Sequence, residues 1–379
     1  MNLSIIIPAF NEEKAIGRTL KETFEEIKKI KQLLQLKETQ VIVIDDGSTD
    51  STAEKARKFS GKGVRLISHK KNLGYGAALK TGFAHSKGDI IAFYDADATY
   101  PIHKLHELIK VLEAKKADLV IGSRLGKGTR MQKQRLYGNK FFVLMLKLLG
   151  GSKVQDTASG MRVFKRKLIP KLNSLPDGLE FTPAMTTKAV HEGWHTFFHP
   201  IHYKGRIGSS KLNSFSHGLK FFVSILDIAK LYNPFRLFGG IGIAFIVLGL
   251  ALFHPLIFNS VPFIEFGLRR IIFIITFLLI GVNLIFFGFL ANFIVKLFYD
   301  QLHTAIAYKW AYDRFLLTRY IIIGLILFIA GLAVIFFTKP EFHWLVPVTG
   351  LLFISIGVQL IVSSMIVRIL KELYEKKVK

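Results

Sequence analysis

The sequence predicts an α/β domain built on a mostly parallel sheet, followed by an all-α transmembrane domain of four helices. Three observations carry this. Over the first 210 or so residues, short apolar runs alternate with stretches of helical spacing, the order that builds parallel sheets. The acidic and glycine-rich clusters fall at the carboxyl ends of those apolar runs, where such sheets bind ligands. Beyond residue 233 the apolar runs approach the ~20 residues that a bilayer core requires.

Leu3–Ile7 reads as a buried strand stopped by Pro8. Asn11-Glu12-Glu13 opens a helix reaching Leu36, with Asn11 as its cap. Val41–Ile44 is a second strand ending in Asp45-Asp46-Gly47-Ser48, and a helix over Thr49–Phe59 follows. Val64–Ser68 is a third. The loop Asn72-Leu73-Gly74-Tyr75-Gly76 precedes a helix, Ala77–His85. Ile90–Tyr94 ends in Asp95-Ala96-Asp97, and a helix from His103 to Ala114 leads to the strand Leu119–Gly122. Arg124–Gly208 completes the domain, with Phe197, Phe198 and Pro200 favouring a strand. The expected organisation is a first domain over 1–210, a juxtamembrane helix over 211–233 and a membrane domain over 234–379.

In the juxtamembrane segment Leu212, Phe215, Leu219, Phe222, Val223 and Leu226 recur at helical spacing, the pattern of a helix lying in a membrane interface or of one packed on the soluble domain. Four spans are expected: Phe235–Phe258, Ile271–Phe298, Tyr320–Phe337 and Leu345–Val367. The loop Tyr299–Arg319 and the tail Arg368–Lys379 are basic, while 338–344 is not. The positive-inside rule therefore places the first domain and both termini in the cytoplasm. The N-terminus lacks the charged region of a signal peptide, which agrees. Asn283, Asn292 and Gln359 are the notable polar residues inside the spans, and the two asparagines are expected to bond between helices. No ionisable residue lies deep in a span, which weighs against a transport path. No internal repeat is evident.

The net charge of +25 suits anionic headgroups, positive-inside topology or phosphorylated ligands. No nucleic-acid motif accompanies it, and nucleic acid is not an expected partner. The absence of cysteine excludes disulfides, cysteine-ligated zinc and a cysteine nucleophile.

Asp95 and Asp97 are the strongest chemical signal. Two carboxylates on alternate positions at a strand end can turn toward one Mg²⁺ or Mn²⁺ that also bridges two phosphates. Asp45 and Asp46 can accept from a ribose or base, or cap the helix that follows. Gly74 and its neighbours permit close backbone approach to a ligand, or simply make a tight turn.

Taken in order and spacing, Ile5-Ile6-Ile7-Pro8-Ala9-Phe10-Asn11-Glu12, Ile44-Asp45-Asp46-Gly47-Ser48-Thr49-Asp50, Asn72-Leu73-Gly74-Tyr75-Gly76 and Tyr94-Asp95-Ala96-Asp97 resemble the family 2 glycosyltransferases of Rossmann-like GT-A fold. The resemblance covers residues 3–210. Within the family the chain is similar to dolichyl-phosphate mannose synthases and bacterial polyprenyl-phosphate glycosyltransferases, through Gly122-Ser123-Arg124, Asp156 to Arg162, and Arg206 to Leu212. It implies that Pro8, Phe10, Glu12 and Asp46 line the nucleotide. It implies that Asp95 and Asp97 meet diphosphate and metal, and that Arg124, Arg135, Arg206 and Lys211 gather the phosphates of donor and acceptor. The expected partners are a UDP- or GDP-sugar donor, a polyprenyl-phosphate acceptor and the membrane; the chain packs alone or in a symmetric homo-oligomer.

A lipid monophosphate is largely anionic near pH 7, with its second pKa at about 6, and can attack the sugar without a general base. A hydroxyl acceptor needs one, and Glu180 is the candidate. The Gln-x-x-Arg-Trp motif of processive synthases is not found, which favours single transfer. A flippase or channel with a degenerate sugar-binding domain is the reading from another class.

Overall fold

The computed structural model describes residues 2–125, 131, 133–149, 154–203, 214–258, 268–298, 314–337 and 345–378. They form two compact units, Met1–Ile228 and Ala229–Lys379.

The first unit runs β1 (Leu3–Ala9), α1 (Ile16–Leu34), β2 (Thr39–Asp45), α2 (Thr52–Arg57), β3 (Val64–Ser68), α3 (Tyr75–His85), β4 (Ile90–Phe93), α4 (Leu105–Ala114) and β5 (Leu119–Ser123). It continues with α5 (Lys133–Leu148), β6 (Arg162–Lys165), α6 (Ile169–Leu172), α7 (Phe181–His191), β7 (Thr196–Pro200) and α8 (Ser214–Tyr232), whose last turn belongs to the second unit. The strands form one sheet in the order β3-β2-β1-β4-β6-β5-β7. β1 pairs in parallel with β2 and β4, β2 with β3, and β5 with β7; β6 opposes both β4 and β5. Six strands thus share one direction, as expected of an α/β domain. β6 begins at Arg162, which pairs with Phe93 and Ile121 near the carboxyl ends of β4 and β5.

The strand period of two feeds both faces. Ile5 and Ile7 enter a core with Ile16, Leu20, Leu105 and Leu108, while Ile6 enters the other with Phe83, Phe93, Phe164 and Phe181. Each such side chain, fully buried, contributes roughly 1.5–3 kcal/mol. Both faces are covered, which explains why these strands read as continuous apolar runs.

Asn11 does not cap α1. A turn from Glu12 to Ala15 intervenes, and Asn11, at φ 54°, accepts the Thr49 amide on its side-chain oxygen at 2.8 Å. It therefore ties the turn after β1 to the turn after β2. Nor does Asp45 or Asp46 cap α2. Asp45 closes a local turn onto the Ser48 amide at 3.2 Å, and Asp50 takes the Thr52 amide at 2.9 Å. α5 exposes Tyr137, Phe141, Leu144 and Leu148 on one face.

The second unit holds a short π turn (Phe235–Gly239), α9 (Gly240–Phe258), α10 (Leu268–Phe298), α11 (Arg314–Phe337) and α12 (Leu345–Val378). All four helices are long and apolar enough to cross a membrane. Residues 299–313 and 338–344, on which the orientation reading partly rests, lie outside the described residues.

Contrary to the sequence expectation, this unit is internally repeated. α9 and α10 meet where Gly242 and Gly281 face each other's carbonyl; a Cβ added to either would lie 2.6 and 2.7 Å from it. α11 and α12 meet in the same way at Gly324 and Gly357, at 2.7 and 2.5 Å. Gly249 and Gly331 stand seven residues on, each followed by Leu-Ala, and Ile280-Gly281-Val282-Asn283-Leu284-Ile285 parallels Ile356-Gly357-Val358-Gln359-Leu360-Ile361. The two hairpins are joined at equivalent positions: Gln359 Nε2 donates to Asn283 Oδ1 at 2.7 Å. The repeat is written in the sequence as these short matched segments, and its shared physical feature is a small-residue contact between helices.

Gly242→Ala and Gly324→Ala should each destabilise the full chain in detergent by about 1–3 kcal/mol, the usual cost of overpacking. Gly240→Ala, with open space at its Cβ, should not. Thermal unfolding midpoints measured side by side check this.

Candidate active site

The carboxyl ends of β1, β2, β4 and β5 open into a cleft of about 470 Å³. β1 delivers Pro8 to it, with Phe10 and Glu12 following; β2 delivers Asp46, and β4 delivers Asp95 and Asp97.

Asp46 is buried, and its carboxylate is engaged by backbone. Oδ1 accepts the Leu73 amide at 2.9 Å and Oδ2 the Gly74 amide at 2.9 Å. His69 Nδ1 stands 2.7 Å from Oδ1, and its other nitrogen meets Thr81 at 3.0 Å. Gly74 itself needs to be glycine: its φ is 104°, and a Cβ would sit 2.5 Å from the Asp177 carbonyl. That carbonyl also accepts the Ala77 amide at 3.0 Å, and Lys80 bonds both Leu175 O and the Asp177 carboxylate. The start of α3 thus holds the 175–180 loop, which carries Glu180 into the cleft ahead of α7.

Asp95 Oδ1 accepts the Tyr75 hydroxyl at 2.7 Å. Burial first, and then the Asp95 charge, push the Tyr75 phenol well above its usual value, so it stays a donor. Asp97 Oδ1 accepts the Thr99 amide at 3.1 Å and hydroxyl at 2.5 Å, around a turn in which Ala98 stands at φ 57°. Two hard carboxylates, one residue apart, line the cleft here. Among the described residues no third His, Cys, Asp or Glu completes a cluster with them. This donor set fits a Mg²⁺-type ion, which binds through one or two carboxylates and fills its shell with substrate phosphate oxygens and water.

Arg124, at the end of β5, grips Asp156 with Nε and Nη2, both at 2.9 Å. It uses two of its five N–H donors there and still lines the cleft. The Tyr203 ring lies 5.5 Å from its guanidinium. Burial alone would raise the Asp156 carboxyl, but the Arg124 charge and hydrogen bonds, with Asn139, hold it below the usual carboxylate range. Burial alone would lower Arg124, but Asp156 drives it well above its ordinary value. Beneath this pair Arg162 is completely buried. It donates to Ser159 O, Thr157 O and Thr182 O at 2.9, 3.0 and 2.8 Å. Burial brings it down to about 10, against the pull of Asp156.

The structure brings Pro8, Phe10, Glu12, Asp46, Gly74, Asp95, Asp97, Arg124 and Glu180 to this one cleft. Arg135 lies on α5, with its side chain outside the described residues; Arg206 and Lys211 lie wholly outside them. Sequence reasoning missed Tyr75, Thr182, Tyr203 and Lys220, which also line the cleft. Tyr75 had a signal, its place inside the glycine-rich loop; Thr182, Tyr203 and Lys220 had none.

Residues 4–172 match the family described as Glycosyl transferase family 2, and residues 234–379 match a Domain of unknown function (DUF8752). The chain is 30% identical over 220 residues to a low-salt glycan biosynthesis hexosyltransferase of Haloferax volcanii; the match covers 57% of this chain and 51% of that one, so the chain spans about half of that relative's length. It is 30% identical over 228 residues to a dolichyl-phosphate hexose transferase of the same organism, covering 60% of this chain and 93% of that one. Among solved structures, glucosyl-3-phosphoglycerate synthase of Mycobacterium tuberculosis, crystallised with Mn²⁺, UDP-glucose and phosphoglyceric acid, superposes with a TM-score of 0.48 at 21% identity over 60% of this chain and 79% of that one.

The Asp156 carboxyl titrates lower in the fold than in the unfolded chain, where it sits at about 3.9. Its stabilisation is therefore fully present above that value and is lost as the pH falls through the folded pKa. Asp156→Asn should lower stability near neutral pH by about 3–5 kcal/mol, because it leaves buried arginines uncompensated. It should also flatten the loss of stability below pH 4. Denaturation midpoints across an acid series check both.

Proposed function

The chain belongs to glycosyl transferase family 2, and from that premise we propose that it moves a hexose from a nucleoside-diphosphate sugar to a polyprenyl phosphate at the cytoplasmic face of a membrane. The observation that carries this is the cleft itself, which combines the Asp95 and Asp97 carboxylates with the Arg124 cation. The dolichyl-phosphate hexose transferase matched over nearly its whole length supports the acceptor class, and four apolar helices suit a lipid substrate.

In this reading Pro8, Phe10 and Glu12 contact the nucleotide. Asp46 acts by fixing the Leu73–Gly74 backbone beside it. Asp95 and Asp97 would hold Mg²⁺ or Mn²⁺, which would supply neutralisation of charge on the departing diphosphate. Arg124 draws phosphate oxygens toward the sugar, aided by Arg135, Arg206 and Lys211, the acceptor-phosphate cations expected from sequence. An oxygen of the lipid phosphate attacks C1 as the bond from C1 to the diphosphate oxygen breaks, and the bonding pair leaves with the nucleoside diphosphate. One in-line displacement inverts C1. No proton need be removed, since the attacking oxygen is already anionic; the protein's work is positioning and charge stabilisation.

A hydroxyl acceptor is the second reading, favoured by one observation: Glu180 lines the same cleft and could take the proton that such an acceptor must lose.

Nucleoside diphosphate release by the full chain should require both a donor and a polyprenyl phosphate. Asp97→Asn should lower turnover by about 10²–10³-fold, the equivalent of several kcal/mol of charge stabilisation, with the fold retained. Glu180→Gln should leave turnover on lipid phosphate within about tenfold of wild type. A collapse in that variant, or release only with a hydroxyl lipid, would move the assignment to the second reading.

A further inference from the structure

Among the described residues, Tyr75 and Gly160 both close on the Asp95 carboxylate. Tyr75 donates its hydroxyl to Oδ1 at 2.7 Å. Gly160 closes on the same group: a Cβ there would lie 2.5 Å from Oδ1 and 2.8 Å from Oδ2. Both neighbours are themselves held. Tyr75 is the first residue of α3, directly after the Leu73 and Gly74 amides bound by Asp46. The Gly160 amide donates to the Tyr100 hydroxyl at 2.6 Å.

We propose that Tyr75 is the positioning residue for Asp95, and that it holds this carboxylate in the one rotamer that receives the divalent cation of the donor diphosphate. The inference rests on the metal-dependent reading above. A free carboxylate side chain must be ordered when it takes a ligand, and that ordering opposes binding. A hydrogen bond from a rigid helix start supplies the order beforehand, as partners of metal-ligating carboxylates do. The same contact joins two parts of the cleft, because the loop that Asp46 fixes is the loop that carries Tyr75. The Tyr75 ring also packs on the core beneath α3, so Tyr75→Phe removes the hydroxyl and leaves the packing in place.

The test uses the full chain in detergent, with Mn²⁺ titrated in the presence of UDP and, in parallel, GDP, and bound Mn²⁺ read by electron paramagnetic resonance. Tyr75→Phe should weaken Mn²⁺ binding by about 10–100-fold. Excess Mn²⁺ should restore kcat, and the metal-free unfolding midpoint should stay near that of wild type. Gly160→Ala, which displaces the same carboxylate by a different route, should weaken Mn²⁺ in the same sense. Mn²⁺ affinity in Tyr75→Phe equal to wild type, or a loss of stability with no change in Mn²⁺ affinity, would overturn the proposal. If Asp97→Asn binds Mn²⁺ as well as wild type does, the metal reading falls and this inference with it. A loss confined to Asp97→Asn removes the Tyr75 inference alone.

Discussion

The Asp156 carboxylate is wholly buried and accepts five hydrogen bonds: the Arg124 amide, Arg124 Nε and Nη2, the Asn139 amide group and the Ala158 amide. Those donors come from the end of β5, from α5 and from the loop that enters β6. A charge with no water near it is tolerable only when paired and fully bonded, so these segments have little freedom in where they sit. The loop they fix presents Ala158 and Gly160 to the cleft. Arg162 then binds the carbonyls of Thr157, Ser159 and Thr182, which joins the loop to the start of α7. The cleft wall facing the Asp95–Asp97 turn thus descends from one buried ion pair and one buried arginine.

The reversed strand β6 has a related consequence. Because it runs against its neighbours, its N-terminal end lies with the carboxyl ends of β4 and β5. The polar segment Asp156–Gly160 is thereby delivered beside Asp95 and Asp97 rather than to the far end of the sheet. In a fully parallel sheet that segment would need a crossover to return. The chemistry expected of the cleft, phosphates approached by carboxylate-held metal and by arginine, depends on that placement.

How much of this the sequence disclosed follows from the kind of signal involved. β1 to β5 were legible because each is a short apolar run ending in a conspicuous cluster, and Asp95 and Asp97 were legible because they terminate such a run. β6 was not, since it is four residues long and opens with a buried arginine, a residue type that usually marks the surface. Asn11 looked like a cap because its neighbours have helix-start chemistry, yet its side chain is spent on the adjoining turn. The exposed stripe of α5, Tyr137 to Leu148, was masked by the apolar residues on its other faces, such as Phe142, Val143 and Leu146. The duplicated hairpin was overlooked although its matched segments, Ile280–Ile285 and Ile356–Ile361, stand in the sequence: apolar spans look alike in composition, and the facing glycines of Gly242 with Gly281 and Gly324 with Gly357 show that the two pairs pack alike.

The proposed reaction makes a bond between the sugar C1 and an oxygen of a lipid phosphate. The direct measurement is proton and phosphorus NMR of the lipid recovered after the full chain has consumed its donor. The expected product carries one hexose per lipid, with C1 coupled to phosphorus and an anomeric configuration opposite to that of the donor. A hexose joined to a hydroxyl oxygen, or a C1 that keeps the donor's configuration, would contradict it.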